Sequence, residues 1–205
     1  MEQITSAQLE KLVENMKQWV IGVGEGKPVL PKTRFAEHPE RNYNLLGLTI
    51  RKFLQHEEQT YGINLGWTDD ASPQTGTKVA RWFFVRGGTG DQPVRYGEAI
   101  ALGNGGDPSF IKYEQRTVGI NLNWSKTPVF EWKIGGGRSG EVVSTGQHVA
   151  LFNEKANEVL IYFDRNVGGD IGWPSTKRWE EQLKDIGSKE AVEFVKKHAL
   201  AALFA

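Results

Sequence analysis

The hexapeptide GINLGW at residues 62–67 recurs as GINLNW at residues 119–124 and as GGDIGW at residues 168–173. Counted from the tryptophan that ends the first copy, the second copy ends 57 residues later and the third a further 49 residues later. A recurrence at this spacing is typical of a repeated supersecondary unit. The chain of 205 residues therefore contains three copies of one unit.

The similarity extends backwards from the motif. Residues 99–124 align without a gap on residues 148–173. Identical residues occupy these aligned positions: Ala101/Ala150, Leu102/Leu151, Asn104/Asn153, Tyr113/Tyr162, Arg116/Arg165, Val118/Val167, Gly119/Gly168 and Trp124/Trp173. The first copy, residues 42–67, keeps fewer residues in the same register, namely Leu45, Phe53, Leu54, Gly62 and Trp67.

Each copy contains strand signals in one order. IALGN or VALFN is followed by SFIKY or VLIYF, then by a short polar turn and the GINLNW strand. A tryptophan-bearing segment comes last, ARWFFVRG around Trp82 and FEWKIGG around Trp132. Short apolar runs between turn residues indicate strands. In the third copy the last segment is STKRWEEQL around Trp179, which reads as a strand or as the start of a helix.

The alternation of side chains along a strand predicts where the tryptophans point. Ile63, Leu65 and Trp67 lie on one face of their strand, so we expect Trp67 and its equivalents Trp124 and Trp173 to face the core. By the same argument, we expect the side chains of Trp82, Trp132 and Trp179 to face the core.

Three units of four strands resemble the β-trefoil superfamily over residues 42–179. The resemblance implies an all-β fold, a trefoil of three pseudo-symmetric units at about 42–96, 97–146 and 147–187 within a domain of residues 42–187. A propeller or a sandwich is the alternative. The superfamily includes lectins, fascin-like actin-bundling modules, protease inhibitors and receptor-binding domains of toxins. The Gln-x-Trp of ricin-type lectins is absent, since Ala80, Phe130 and Lys177 stand where the glutamine would be.

Helical patterns flank this domain. Residues 1–41 are expected to form a helix and a linker, with Ser6 as N-cap and an apolar face made of Leu9, Leu12, Val13, Met16 and Trp19. Residues 188–205 are expected to form a second helix, capped by Ser188, with an apolar stripe of Ala191, Val192, Val195, Ala199 and Leu203.

Composition argues against several classes of partner. Lysine plus arginine and aspartate plus glutamate both number 25, so no basic field would attract nucleic acid. The chain has no cysteine and its four histidines are scattered, which predicts neither a metal site nor a disulfide. The glycine-rich residues 85–90 and 134–140 lack the context of a phosphate loop, so no cofactor is expected.

The sequence also lacks an apolar run that could span a bilayer and the pattern of a signal peptide. We therefore expect a soluble protein that is cytoplasmic or released by a non-classical route. No catalytic motif such as Gly-x-Ser-x-Gly or His-Glu-x-x-His is present, so a non-catalytic binding protein is expected.

The candidate ligand residues lie at repeated positions near the turn between the second and third strands, where binding sites on rigid scaffolds are common. Tyr113 with Arg116, and Tyr162 with Arg165, could form a sugar platform, because an aromatic face stacks on a sugar ring and a guanidinium donates to hydroxyls. The remaining candidates are His56 and Gln59 in the first copy, Asn64, Asn121 and Asp170 on the third strands, and Asp107 and Asp164.

Two functions remain open from the sequence. The first is carbohydrate binding, with a glycan or glycoprotein as partner and up to three equivalent sites. The second is recognition of a protein, as in toxin-associated, inhibitory or cytoskeletal trefoils, with the terminal helices as contact surface. An apolar helix stripe turned toward solvent would favour the second function.

Overall fold

Short apolar segments of the repeats form strands, and two amphipathic segments form helices. The computed structural model describes residues 5–24, 26–70, 74–75, 78–105, 110–165, 169–174, 181 and 189–205. The helices are α1 (Ser6–Met16), a 3-10 turn (Pro39–Arg41) and α2 (Lys189–Ala202). The strands of the first half are β1 (Trp19–Ile21), β2 (Leu45–Gly47), β3 (Lys52–His56), β4 (Leu65–Thr68), β5 (Gln74–Thr75), β6 (Lys78–Val79) and β7 (Trp82–Arg86). Those of the second half are β8 (Ile100–Asn104), β9 (Phe110–Tyr113), β10 (Leu122–Ser125), β11 (Trp132–Gly135), β12 (His148–Asn153), β13 (Glu158–Val159), β14 (Ile161–Tyr162) and β15 (Ile171–Gly172).

Six strands pair in a ring. All the pairings are antiparallel: β1 with β2, β7 with β8, β8 with β11, β11 with β12, and β12 with β1. An isolated bridge between Tyr43, just before β2, and Trp82 in β7 completes the ring. Over the described residues the structure is thus mostly β, with a curled antiparallel sheet and the helices α1 and α2, which confirms the predicted all-β class.

Three β-hairpins extend from this ring. They are β3 with β4, β9 with β10, and β14 with β15. The turns within them are named turn 1 (residues 57–64), turn 2 (residues 114–121) and turn 3 (residues 163–170). Residues 166–168 of turn 3 lie outside the described residues.

The core is organised around three fully buried tryptophans, each the first residue of a ring strand: Trp19, Trp82 and Trp132. Their indole Nε1 atoms donate to the carbonyl oxygens of Leu160 (2.7 Å), Leu54 (2.8 Å) and Ile111 (2.9 Å), respectively. Their rings stack on Trp67, Trp124 and Trp173 at centroid distances of 5.7, 6.1 and 6.1 Å. The motif tryptophans therefore pack against the core, as the alternation predicts, although they are only half-buried.

The prediction that α1 extends to Trp19 is wrong. The helix ends at Met16, after which the N–H of Lys17 donates to the Glu14 carbonyl and Trp19–Ile21 pairs as strand β1. Its N-cap is Thr5 rather than Ser6, because Thr5 and Gln8 form a reciprocal capping box. The β-branched Val20 and Ile21 favour the strand. Trp179, the predicted tryptophan of the third unit, lies outside the described residues.

The loops that follow β1, β7 and β11 meet at the end of the ring away from the tryptophans. The N–H of Val29 donates to the Val143 carbonyl, that of Val143 to Val94, and that of Val94 to Val29, each at 2.8 Å. All three valines are fully buried. This closed cycle of backbone hydrogen bonds joins one loop from each third of the ring.

Both helices lie against the outer side of β12 and β13. Leu12 and Met16 of α1, the buried α2 residues, and Phe152 and Val159 of the strands form one cluster. The buried apolar residues of this C-terminal segment are Val192, Val195 and Ala199 of α2 and Leu203 just after it, four of the five positions predicted. Ser188, the predicted cap of α2, lies outside the described residues. Within the described ranges, no helix is long and apolar enough to cross a membrane.

Lys32 is buried on the outer side of β7. Its Nζ donates to the carbonyls of Phe35 (2.6 Å) and Glu37 (2.9 Å) and lies 5.1 and 5.2 Å from the ring centroids of Phe35 and Phe83. Burial lowers the pKa of Lys32 to about 8, against the opposing influence of the Glu40 and Glu37 carboxylates. The ammonium holds the loop of residues 32–37 in place by charge-assisted hydrogen bonds.

The depressed pKa of Lys32 predicts a pH-dependent stability. The unfolded chain binds the lysine proton more tightly than the folded chain, so folding becomes more favourable as pH rises above about 8. From pH 7 to pH 9 the wild type is expected to gain up to about 1 kcal/mol relative to Lys32→Met, in which this titration is absent. Urea denaturation of both proteins across this range measures the difference. Equal pH slopes in the two proteins would contradict the prediction.

Candidate functional site

The repeated polar residues form hydrogen bonds within their own turns. The side-chain Oδ1 atoms of Asn64, Asn121 and Asp170 accept from the backbone N–H groups of Gln59 (3.1 Å), Arg116 (2.9 Å) and Arg165 (3.1 Å), respectively. These six residues were predicted as ligand contacts, and the structure uses the side chains of three of them to fix the turn backbone. The turns are therefore preorganised.

The side chains of Gln59 and Arg116 also reach backbone carbonyls. Gln59 Nε2 donates to the Leu65 carbonyl at 3.1 Å, and Arg116 Nη1 donates to the equivalent Leu122 carbonyl at 3.3 Å. Arg116 Nη2 extends further, to the Gly62 carbonyl of turn 1 at 3.5 Å. Arg116 thus braces turn 2 against turn 1.

The three residues that end the second strands face the motif tryptophan of a neighbouring unit. The ring centroids of His56 and Trp124 are 5.2 Å apart, those of Tyr113 and Trp173 6.3 Å, and those of Tyr162 and Trp67 5.8 Å. The structure directs Tyr113 toward Trp173 and the Arg116 guanidinium toward turn 1.

The acidic residues predicted as ligand contacts, Asp164 and Asp170, have different surroundings. Asp164 is exposed, and the main-chain carbonyl of Asp170 accepts from Trp67 Nε1 at 3.2 Å. Partial burial raises the pKa of the Tyr162 hydroxyl, and the nearby Asp170 and Asp164 carboxylates raise it further. Asp107 lies outside the described residues.

Two residues that the sequence reasoning missed stand out at the turn tips. Tyr61 in turn 1 and Val118 in turn 2 occupy equivalent positions, and their side chains are 70 % and 62 % exposed. Strand alternation would place Tyr61 on the buried side with Ile63. Gly62, at φ +90°, and Gly119, at φ +87°, break the alternation and turn the preceding side chain outward. An apolar residue before a glycine at the repeated turn position was the available signal.

The two tips are in contact. A Cβ added at Gly119 would lie 3.5 Å from the Cα of Gly62, next to Tyr61. The residues that precede Tyr61 and Val118, Thr60 and Thr117, are also exposed. This surface, made of residues 60–62 and 117–119, is called the tip surface below. It combines an open aromatic ring, an aliphatic side chain and two hydroxyls, and it carries no formal charge.

Within the ranges that the structure describes, no group of three histidine, cysteine, aspartate or glutamate side chains is arranged to hold a metal ion. Neither a family model nor a curated protein matches this chain.

Proposed function

We propose that this chain is a non-catalytic β-trefoil protein that binds carbohydrate at the tip surface. A trefoil consists of a six-stranded barrel with three hairpins across one end. The ring formed by β1, β2, β7, β8, β11 and β12, together with the three hairpins that leave it, supports this arrangement.

The recurrence of the same contacts in each third of the chain is the second support. The tryptophan-to-carbonyl bond, the tryptophan stack and the turn bond to Asn64, Asn121 or Asp170 each occur three times. In this arrangement β1 takes the place of the fourth strand of the third unit. Trp19 then plays the part that the sequence reasoning gave to Trp179.

The exposed ring of Tyr61 carries the functional part of the proposal. A sugar ring has an apolar face that stacks on an aromatic side chain, while its hydroxyls require directional hydrogen-bonding partners. Thr60 and Thr117 are exposed in the same two turns, and their hydroxyls can both donate and accept hydrogen bonds. Hydrogen bonds within and between turns 1 and 2 already fix their backbone. Little conformational entropy of these turns is therefore lost when a ligand binds.

The size of the tip surface favours a sugar over a protein partner. Tyr61 and Val118 together expose roughly 200–250 Å² of side chain. A stable protein interface needs about 800 Å² on each partner. The apolar stripes of α1 and α2 are packed on β12 and β13, so they do not offer the contact surface that protein recognition by the helices would require.

Substitution of Tyr61 tests the proposal. On a printed array of neutral and acidic glycans, the wild type is expected to bind, and Tyr61→Ala is expected to lower the affinity for the best glycan roughly tenfold, as loss of one aromatic stack predicts. Phe194→Ala is the matched control, because Phe194 is 55 % exposed on α2, away from the tip surface. Its affinity should equal that of the wild type.

Two results would contradict carbohydrate binding at this surface. One is a folded wild-type protein that binds no glycan on the array. The other is a Tyr61→Ala variant that binds as tightly as the wild type. Thermal unfolding of each variant checks the fold, since an exposed substitution should change stability by less than about 0.5 kcal/mol.

A further inference from the structure

The tip surface offers two separate apolar contacts rather than one. The Tyr61 ring and the Val118 isopropyl group project from different turns that meet at Gly62 and Gly119. The unsubstituted hexoses have one apolar ring face and are otherwise covered by hydroxyls. Such a sugar could use Tyr61 but would leave a hydroxyl against Val118, where it would lose hydration without gaining a partner.

From this juxtaposition we infer that the tip surface selects a pyranose with a methyl-bearing substituent, an acetamido group or a 6-deoxy carbon. The sugar ring lies on Tyr61 and the methyl group contacts Val118. The inference rests on the proposed function and adds the class of sugar to it.

The charge of the surface agrees with a neutral ligand. Residues 60–62 and 117–119 have no ionisable group except the Tyr61 hydroxyl. The Arg116 guanidinium donates to the Leu122 and Gly62 carbonyls. An acidic sugar would therefore meet no unused cation among these residues, whereas a methyl group gains by leaving water.

Pairs of glycosides that differ in the methyl-bearing group test the inference. The probes are the methyl glycosides of N-acetylglucosamine and glucose, and of D-fucose and D-galactose, titrated into the full chain and followed by NMR. The wild type is expected to prefer the methyl-bearing member of at least one pair by roughly fourfold, the ratio expected for one buried methyl group. The pair that shows the preference identifies the group as acetamido or 6-deoxy.

Val118→Ser should abolish this preference, because a serine hydroxyl does not favour a methyl group over a sugar hydroxyl. Val23→Ser is the matched control, because Val23 is a valine 68 % exposed in the loop that follows β1. Binding without a preference in either pair, or a preference that survives in Val118→Ser, would overturn the inference and leave carbohydrate binding standing. Absence of binding to every glycoside and to the glycan array would contradict both the inferred sugar class and carbohydrate binding itself.

Discussion

Replacement of Trp19 by alanine is expected to lower the free energy of unfolding by about 3–5 kcal/mol, as much as the same change at Trp82 or Trp132. Trp19 is fully buried, stacks on Trp67, and donates from its indole to the Leu160 carbonyl. The substitution leaves a large cavity and an unpaired buried carbonyl, and both effects destabilise the folded state.

Urea denaturation followed by far-UV circular dichroism measures these three variants, with Phe194→Ala as an exposed aromatic control. A loss below about 1 kcal/mol for Trp19→Ala, beside losses of several kcal/mol for Trp82→Ala and Trp132→Ala, would show that β1 is not equivalent to β7 and β11. That outcome would contradict the proposed trefoil arrangement, in which β1, β7 and β11 are equivalent.

Lys196→Met is expected to destabilise the protein by about 2–3 kcal/mol and to loosen α2. Lys196 Nζ of α2 lies 2.5 Å from Glu158 Oε2. Glu158 belongs to β13, and its side chain is nearly fully buried. Removal of the lysine leaves a desolvated carboxylate without its cation. Breaking a fully buried pair costs about 3–5 kcal/mol, and the partial exposure of Lys196 reduces the effect here.

The double variant Lys196→Met with Glu158→Leu separates the charge effect from the loss of packing. It should recover part of the stability lost in Lys196→Met, since no unpaired charge remains. Hydrogen exchange should show faster exchange confined to residues 189–205 in the single variant. Equal stability of the wild type and Lys196→Met, with unchanged exchange in α2, would contradict this role for the ion pair.

The repeats made much of the fold predictable. Because the motif keeps one register, the strand order within the first two units, the inward-facing motif tryptophans and the buried stripe of the C-terminal helix could be read from alternation and spacing. The role of Trp19 could not be read in this way. Residues 17–22 carry only one tryptophan and a short apolar run, and the preceding helical pattern continues to Trp19 without an obvious stop.

The candidate site was harder to predict, because repeated polar residues serve folding as well as binding. Asn64 and Asn121 each accept from a backbone N–H and close a turn, and Gln59 and Arg116, at equivalent positions, each donate to a strand carbonyl. Tyr61 and Val118, which the sequence reasoning did not select, are turned toward solvent. Their orientation depends on the positive φ of the following glycine, which alternation alone does not reveal.

Chemical-shift mapping of the backbone amides tests sugar binding at the tip surface most directly. The full chain is titrated with the glycan that gives the strongest array signal. We expect the largest shifts on Tyr61, Gly62, Val118 and Gly119, with little change around Phe194 in α2 or in residues 22–28. Largest shifts in α2 or in residues 22–28, with the tips of turns 1 and 2 unaffected, would contradict it.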